Sequence, residues 1–254
     1  MAINQILLNQ VITAHDLMTP KELFFSIKLN NLGQIDNLNS EYDVIPVVDG
    51  QKIVGIIEKD IKEVQPIINK WLISHDTSVP DLIDLFIESK QKAFFVLRNQ
   101  KIVGIVSPAD LNKSQARVFI YHLIGELELL LYELLTSHFG NNYDQILQYL
   151  SVDRKNKLKK IMADLEDGNT EVNIIQYLNF SELINILCKE KNLWRKIGFR
   201  SRNQVENHFN GLADLRNNTM HLVRPLVESI PEGLYSLDKR IERIEKLLEI
   251  LDPK

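Results

Sequence analysis

QKIVGI stands at residues 51–56 and again at residues 100–105. Each copy follows an apolar run and a polar turn, IPVVDG before the first and FFVLRN before the second. Two β-rich runs separated by a short turn of Asp, Asn and Gly residues read as a hairpin. Extended outward, the repeat aligns IPVVDGQKIVGIIEKDI with FFVLRNQKIVGIVSPADL: strand, tight turn, strand, then a helix start. Repetition at this period marks a duplicated supersecondary unit. One unit exposes an apolar sheet face, and its twin can cover it.

Around the repeat the texture is α/β as far as residue 111. DVIPVVDG, KIVGII, AFFVLRN and KIVGIV read as strands, and DLIDLFIES, residues 81–89, as an amphipathic helix. From Asn112 onward strand signals disappear and apolar residues recur at helical spacing, as Ile241, Ile244, Leu247, Leu248 and Leu251 show. The chain is therefore expected to be α+β, with an α/β domain over residues 1–111 and an all-helical one over 112–254. Residues 107–139 join them without a Gly/Ser or Pro linker. They fit either one rod on the order of 50 Å long or two helices meeting at a kink near Lys113 or Gly125.

Bulk properties agree with two domains. At 254 residues and 44% hydrophobic, the chain can bury two cores. The single Cys188 cannot close an intrachain disulfide, and MAINQILLNQ lacks the features of a secretory leader. A cytoplasmic address is expected. The most apolar stretch, LIGELELLLYELL, is interrupted by Glu126, Glu128 and Glu133, so no membrane span is expected. A net charge of −4 argues against a non-specific coat for nucleic acid, while leaving room for a local basic patch.

DLMTP at residues 16–20, IPVVDGQKIVGI and GIVSPADL together resemble a tandem pair of CBS domains, a Bateman module, over residues 12–111. The resemblance implies regulation by an adenine nucleotide such as AMP, ADP or ATP. The family's ligand motif, G-h-x-[S/T]-x-x-D, falls on Gly104, Ser107 and Asp110, making Ser107 and Asp110 the candidate nucleotide-binding residues. In the first copy Glu58 replaces the hydroxyl residue and Ile61 the Asp, so that copy is expected to lack the standard pocket. The chemistry is sound: a carboxylate accepts hydrogen bonds from both ribose hydroxyls, and a hydroxyl beside free helix-start N–H groups meets phosphate. Ser107, Pro108 and Asp110 also read as an ordinary capping box. A cap and a ligand can share this turn.

The helical half offers three Arg-to-His spacings: Arg117 with His122, Arg202 with His208, and Arg216 with His221. The first lies among apolar residues and reads as structural. RNNTMH, entered by the apolar FNGLADL, resembles the R-x(4 to 6)-H motif of HEPN ribonucleases, and the resemblance covers residues 114–252. It implies a HEPN-like bundle and a metal-independent endoribonuclease working as a homodimer on RNA. Arg216 would stabilise charge at phosphorus, Asn217 orient the phosphate and His221 exchange protons. Asn217 and His221 are expected on one helical face.

Two further features stay open at this level. KEKNLWRKIGFRSRN interleaves basic residues with Trp194 and Phe199, which suits phosphate contact with base stacking and equally suits a solvated helix end over two core aromatics. His15, His75 and His138 have no ligand-spaced partners, so no metal site is expected. The competing function is a non-catalytic nucleotide sensor whose helical domain dimerises and recruits a partner protein. A weaker third reading makes the helical half a toxin held by an antitoxin.

Overall fold

The computed structural model describes residues 12–32, 42–61, 63–140, 142–167 and 173–252. The expected hairpins form. In the first, β3 (Val44–Asp49) pairs antiparallel with β4 (Lys52–Glu58); in the second, β7 (Phe94–Arg98) pairs with β8 (Lys101–Val106). Gly50 turns the first at φ 57°, and Asn99 and Gln100 turn the second at φ 49° and 61°. In the second turn, left-handed backbone at both central residues matches the twist of the flanking strands. Each hairpin carries an irregularity at the same place, between Val47 and Val48 in one and Val96 and Leu97 in the other.

Four two- or three-residue strands, too short to leave a periodic signal, complete two sheets of matching topology. β2 (Ile27–Lys28) runs parallel to β3, and β5 (Val64–Gln65) antiparallel to β4. In the second sheet β6 (Leu72–Ser74) runs parallel to β7, and β1 (Thr19–Pro20) antiparallel to β8. The outer strands β5 and β1 explain the repeated glycine. A Cβ on Gly55 would sit 2.7 Å from Val64 Cγ1 and 2.8 Å from the Gln65 carbonyl oxygen; one on Gly104 would sit 2.5 Å from Met18 Sδ and 2.8 Å from the Thr19 carbonyl oxygen. In each repeat the missing side chain admits a neighbouring backbone. Val44 and Ile56 from one sheet share a buried cluster with Trp71, Ala93 and Phe95, so each twin covers the other's apolar face.

The helix Val79–Ser89 starts where Ser78 accepts the Asp81 N–H at 3.2 Å, and it buries Leu82, Ile83 and Phe86. Of the two alternatives for residues 107–139, the break falls at Lys113. A 3-10 turn, Pro108–Asn112, ends with Lys113 extended at ψ 157°, and the helix Ser114–Phe139 then runs uninterrupted through Gly125. The Lys113 ammonium holds the break by bonding the Asp110 carboxylate at 2.7 Å and the Leu17 carbonyl at 2.6 Å.

The chain forms two compact units, residues 1–119 with 222–238, and residues 120–221 with 239–254. Within the first, Asn112 secures the returning segment: its side-chain oxygen accepts the N–H of Leu226 at 2.6 Å and of Val227 at 3.0 Å, and its amide donates to the Val227 carbonyl at 3.1 Å. Arg117, buried, donates to the Arg224 carbonyl, and burial lowers its pKa. These contacts agree with a structural role for Arg117. Among its described residues the second unit consists of helices and the turns that join them, around the fully buried Leu127, Leu131, Ile186 and Ile244. Asn179 and Glu182 cap the helix Phe180–Lys189, and Arg154 Nε meets Glu182 at 2.7 Å. No helix among the described residues is long and apolar enough to cross a membrane.

Candidate functional site

The turn after β8 places Ser107 and Asp110 together. One oxygen of Asp110 accepts the Ser107 backbone N–H at 2.6 Å and its hydroxyl at 3.0 Å; the other pairs with Lys113. The capping arrangement is thus present, and it prevents neither residue from facing a ligand. Both line a cavity of about 450 Å³ together with Thr19, Phe25, Tyr42, Pro46, Lys92 and Ile105. The volume suits a nucleoside-sized group. Phe25 and Tyr42 stack on one another with centroids 5.6 Å apart and planes at 9°. Neither ring carried a signal in the sequence, because Phe25 and Tyr42 stand far apart in the chain and share no periodic pattern.

Lys92 supplies the cation of this cavity. Its ammonium lies 2.6 Å from Asp60 and 4.0 Å from Asp43. The hydrogen bond to Lys92 lowers the Asp60 pKa, and the same bond raises that of Lys92. In the first repeat Asp60 is thus paired with Lys92, and the next position, where the motif would have its Asp, is the half-exposed Ile61. Lys92 and Asp43 also border a second cavity of about 520 Å³, walled by Phe86, Ile87, Pro108, Pro231 and Leu234.

In the helical unit Arg216 and Asn217 lie on the helix Leu212–Met220. Both line a cavity of about 360 Å³ with Asn179, Phe180, Ser181 and Ala213. His221 does not line it. The expected shared helical face of Asn217 and His221 is not formed, because the helix ends at Met220 and His221 turns out at φ −102°, ψ 96°. Its N–H still donates to the Asn217 carbonyl at 3.1 Å, and its side chain is exposed. The phase rule fails because it holds only while helical dihedrals persist.

The other Arg-to-His pair is occupied elsewhere: Arg202 Nε meets Glu206 at 2.7 Å, and His208 Nδ1 lies 2.8 Å from the Gln204 carbonyl with its ring against Phe199. Of the two readings of the basic stretch, the solvated helix end over two core aromatics is the one formed: Trp194 is 6% exposed and Phe199 4%, while Lys189, Lys191, Arg195, Lys196, Arg200 and Arg202 are exposed. His15 and His75 pack edge to face at 6.3 Å, and among the described residues no three His, Cys, Asp or Glu side chains cluster to hold a metal.

Residues 61–117 match the family model of the CBS domain. The chain contains a CBS domain. That stretch of the CBS domain includes the second hairpin and the Ser107–Asp110 turn. Solved structures similar to this chain include the CBS domain of a bacterial CNNM/CorC family Mg2+ transporter in complex with ATP, 18% identical over 43% of this chain and 90% of that one at a TM-score of 0.33. CBSX2 in complex with AMP is 17% identical over 42% and 97%, also at 0.33. Among curated proteins, Probable polyketide synthase 44 of Dictyostelium discoideum is 24% identical over 247 residues, 88% of this chain. The matched part is 8% of that protein's length.

Proposed function

We propose that this protein is an adenine-nucleotide sensor whose CBS part binds the ligand at Ser107 and Asp110 and whose helical part carries the output. The observation that carries this reading is the coincidence of the ligand motif with a cavity of about 450 Å³ that holds both residues, an aromatic pair and Lys92. A ribose would hydrogen-bond to the Asp110 carboxylate in competition with Lys113, while Ser107 and Lys92 would meet phosphate. Loosening Lys113 from Asp110 acts on the break that begins the long helix, which gives a ligand two arrangements to distinguish. Binding at about 100 times the dissociation constant should stabilise the CBS part by about 2.7 kcal/mol. Thermal melts with AMP, ADP and ATP check this: a nucleotide raises the transition of the wild type, and Asp110→Ala loses the rise. An unmoved transition with all three nucleotides refutes the assignment.

The ribonuclease reading of the helical part is retained because Arg216 and Asn217 border one cavity with Ser181, an arrangement fit for a phosphodiester. His221, exposed one residue beyond the helix and outside the lining of that cavity, is the proton carrier this reading calls for, in a homodimer acting on RNA. The purified protein is incubated with mixed RNA in EDTA, with and without nucleotide. Cleavage that disappears in both His221→Ala and Arg216→Ala supports catalysis. Intact RNA under every condition leaves the helical part as a non-catalytic recruiting domain.

A further inference from the structure

Neither functional reading uses the cavity of about 520 Å³ that shares Lys92 and Asp43 with the motif cavity. Its walls come from three stretches of the first unit: the C-terminal end of the helix Val79–Ser89, the turn at Pro108, and residues 230–235, which return to this unit from far along the chain. Phe86, Pro108 and Leu234 are buried, so core packing fixes these walls before any ligand arrives. Ile230 and Tyr235 extend the same lining and remain 58% and 38% exposed. Apolar side chains left wet around a preformed hollow favour a ligand with an apolar body.

The polar lining says what head group that body carries. Lys90 ends the helix at φ 56°, ψ 22°, a left-handed position that favours glycine. A lysine kept in such a conformation gives up backbone ease, and what it adds here is an ammonium at the cavity. Lys90 forms no ion pair among the described residues. Lys92 is already matched, by Asp60 at 2.6 Å and Asp43 at 4.0 Å. One positive charge is therefore left open, which suits the single charge of a carboxylate better than the nearly double charge of a phosphate monoester. The Gln91 side-chain amide, between the two lysines, offers further donors to the same group.

We propose that this cavity is a binding site for a medium-chain fatty carboxylate, with its head group on Lys90 and its chain against Phe86, Pro108 and Leu234. The site stands apart from the nucleotide reading, since Lys90 and Tyr235 do not line the cavity of Ser107 and Asp110 and the test uses no nucleotide. Isothermal titration of the full chain with octanoate, and with octanol as the same chain without the charge, tests it. Octanoate should bind, and octanol at least about tenfold more weakly. Lys90→Gly puts at the left-handed position the residue that suits it, so its melting transition should stand no lower than that of the wild type while octanoate binds at least about tenfold more weakly. Tyr235→Asp, at an exposed position in the first turn of the helix Glu232–Leu251, should weaken octanoate by at least about tenfold with far-UV circular dichroism unchanged. Absence of octanoate binding overturns the proposal, as does octanol that binds as tightly as octanoate, or octanoate binding that either substitution leaves unmoved.

Discussion

Replacing Gly104 by Ala tests the reason the hairpin motif is used twice. The new methyl would lie 2.5 Å from Met18 Sδ, 2.9 Å from Met18 Cγ and 2.8 Å from the Thr19 carbonyl oxygen. The thioether can swing away at small cost, but the carbonyl belongs to β1, whose pairing of Pro20 with Gly104 and Thr19 with Ile105 fixes it. Relieving the clash therefore displaces β1, an overpacking cost of about 1–3 kcal/mol. Against it, Gly→Ala reduces the freedom of the unfolded chain and returns about 0.4–1 kcal/mol. The net loss is about 1–2 kcal/mol, which at ordinary denaturant sensitivity lowers a urea midpoint by on the order of 1 M. Trp71, 1% exposed, reports on this unit, and Trp194→Phe removes the other indole, so fluorescence in that background isolates the transition. Gly55→Ala should behave alike, since its Cβ meets the Gln65 carbonyl at the same 2.8 Å. A midpoint for Gly104→Ala equal to its parent's, or higher, would refute the close-approach explanation.

Further outcomes follow from polar contacts. Asn112→Ala leaves the N–H groups of Leu226 and Val227 without their acceptor at 2.6 and 3.0 Å, and should cost about 1–3 kcal/mol; hydrogen exchange should quicken at those two amides before it does in β7 and β8. Burial, and then the 2.5 Å hydrogen bond to Glu190, push the Tyr149 hydroxyl up to about 12. Because its folded pKa exceeds the unfolded value near 10, the stability it lends is complete below about pH 10 and vanishes between about 10 and 12. Ultraviolet titration should show Tyr149 ionising late, brought to lower pH by Glu190→Gln. Burial, reinforced by Glu206, raises the Cys188 thiol to about 11, so it should react with a thiol reagent at pH 8 only as fast as the unit opens.

Much of the fold was legible locally. The four long strands, the helix capped by Ser78 and the helical second half follow from periodicity, turn residues and capping, which are interactions among neighbours in the chain. The two-residue strands were not legible, since two residues have no period; their one trace was the glycine kept in both copies of QKIVGI. That Ser107 and Asp110 stand together was legible because motif and cap occupy a single turn. Phe25, Tyr42 and Lys92 were missed because they reach the same cavity from separate elements.

What the sequence determined by itself is therefore the duplicated hairpin, the change from α/β to helical texture and the Ser107–Asp110 turn. Tertiary structure alone decided that Trp194 and Phe199 face the core, that Arg216 and Asn217 share a cavity which His221 does not line, and that Asn112 holds a segment 114 residues downstream. The physical reason is range. Hairpin turns and caps are set by dihedral preferences and hydrogen bonds within a few residues, whereas the identity of a side chain's distant neighbour is fixed only when the apolar faces of the whole unit have been buried together.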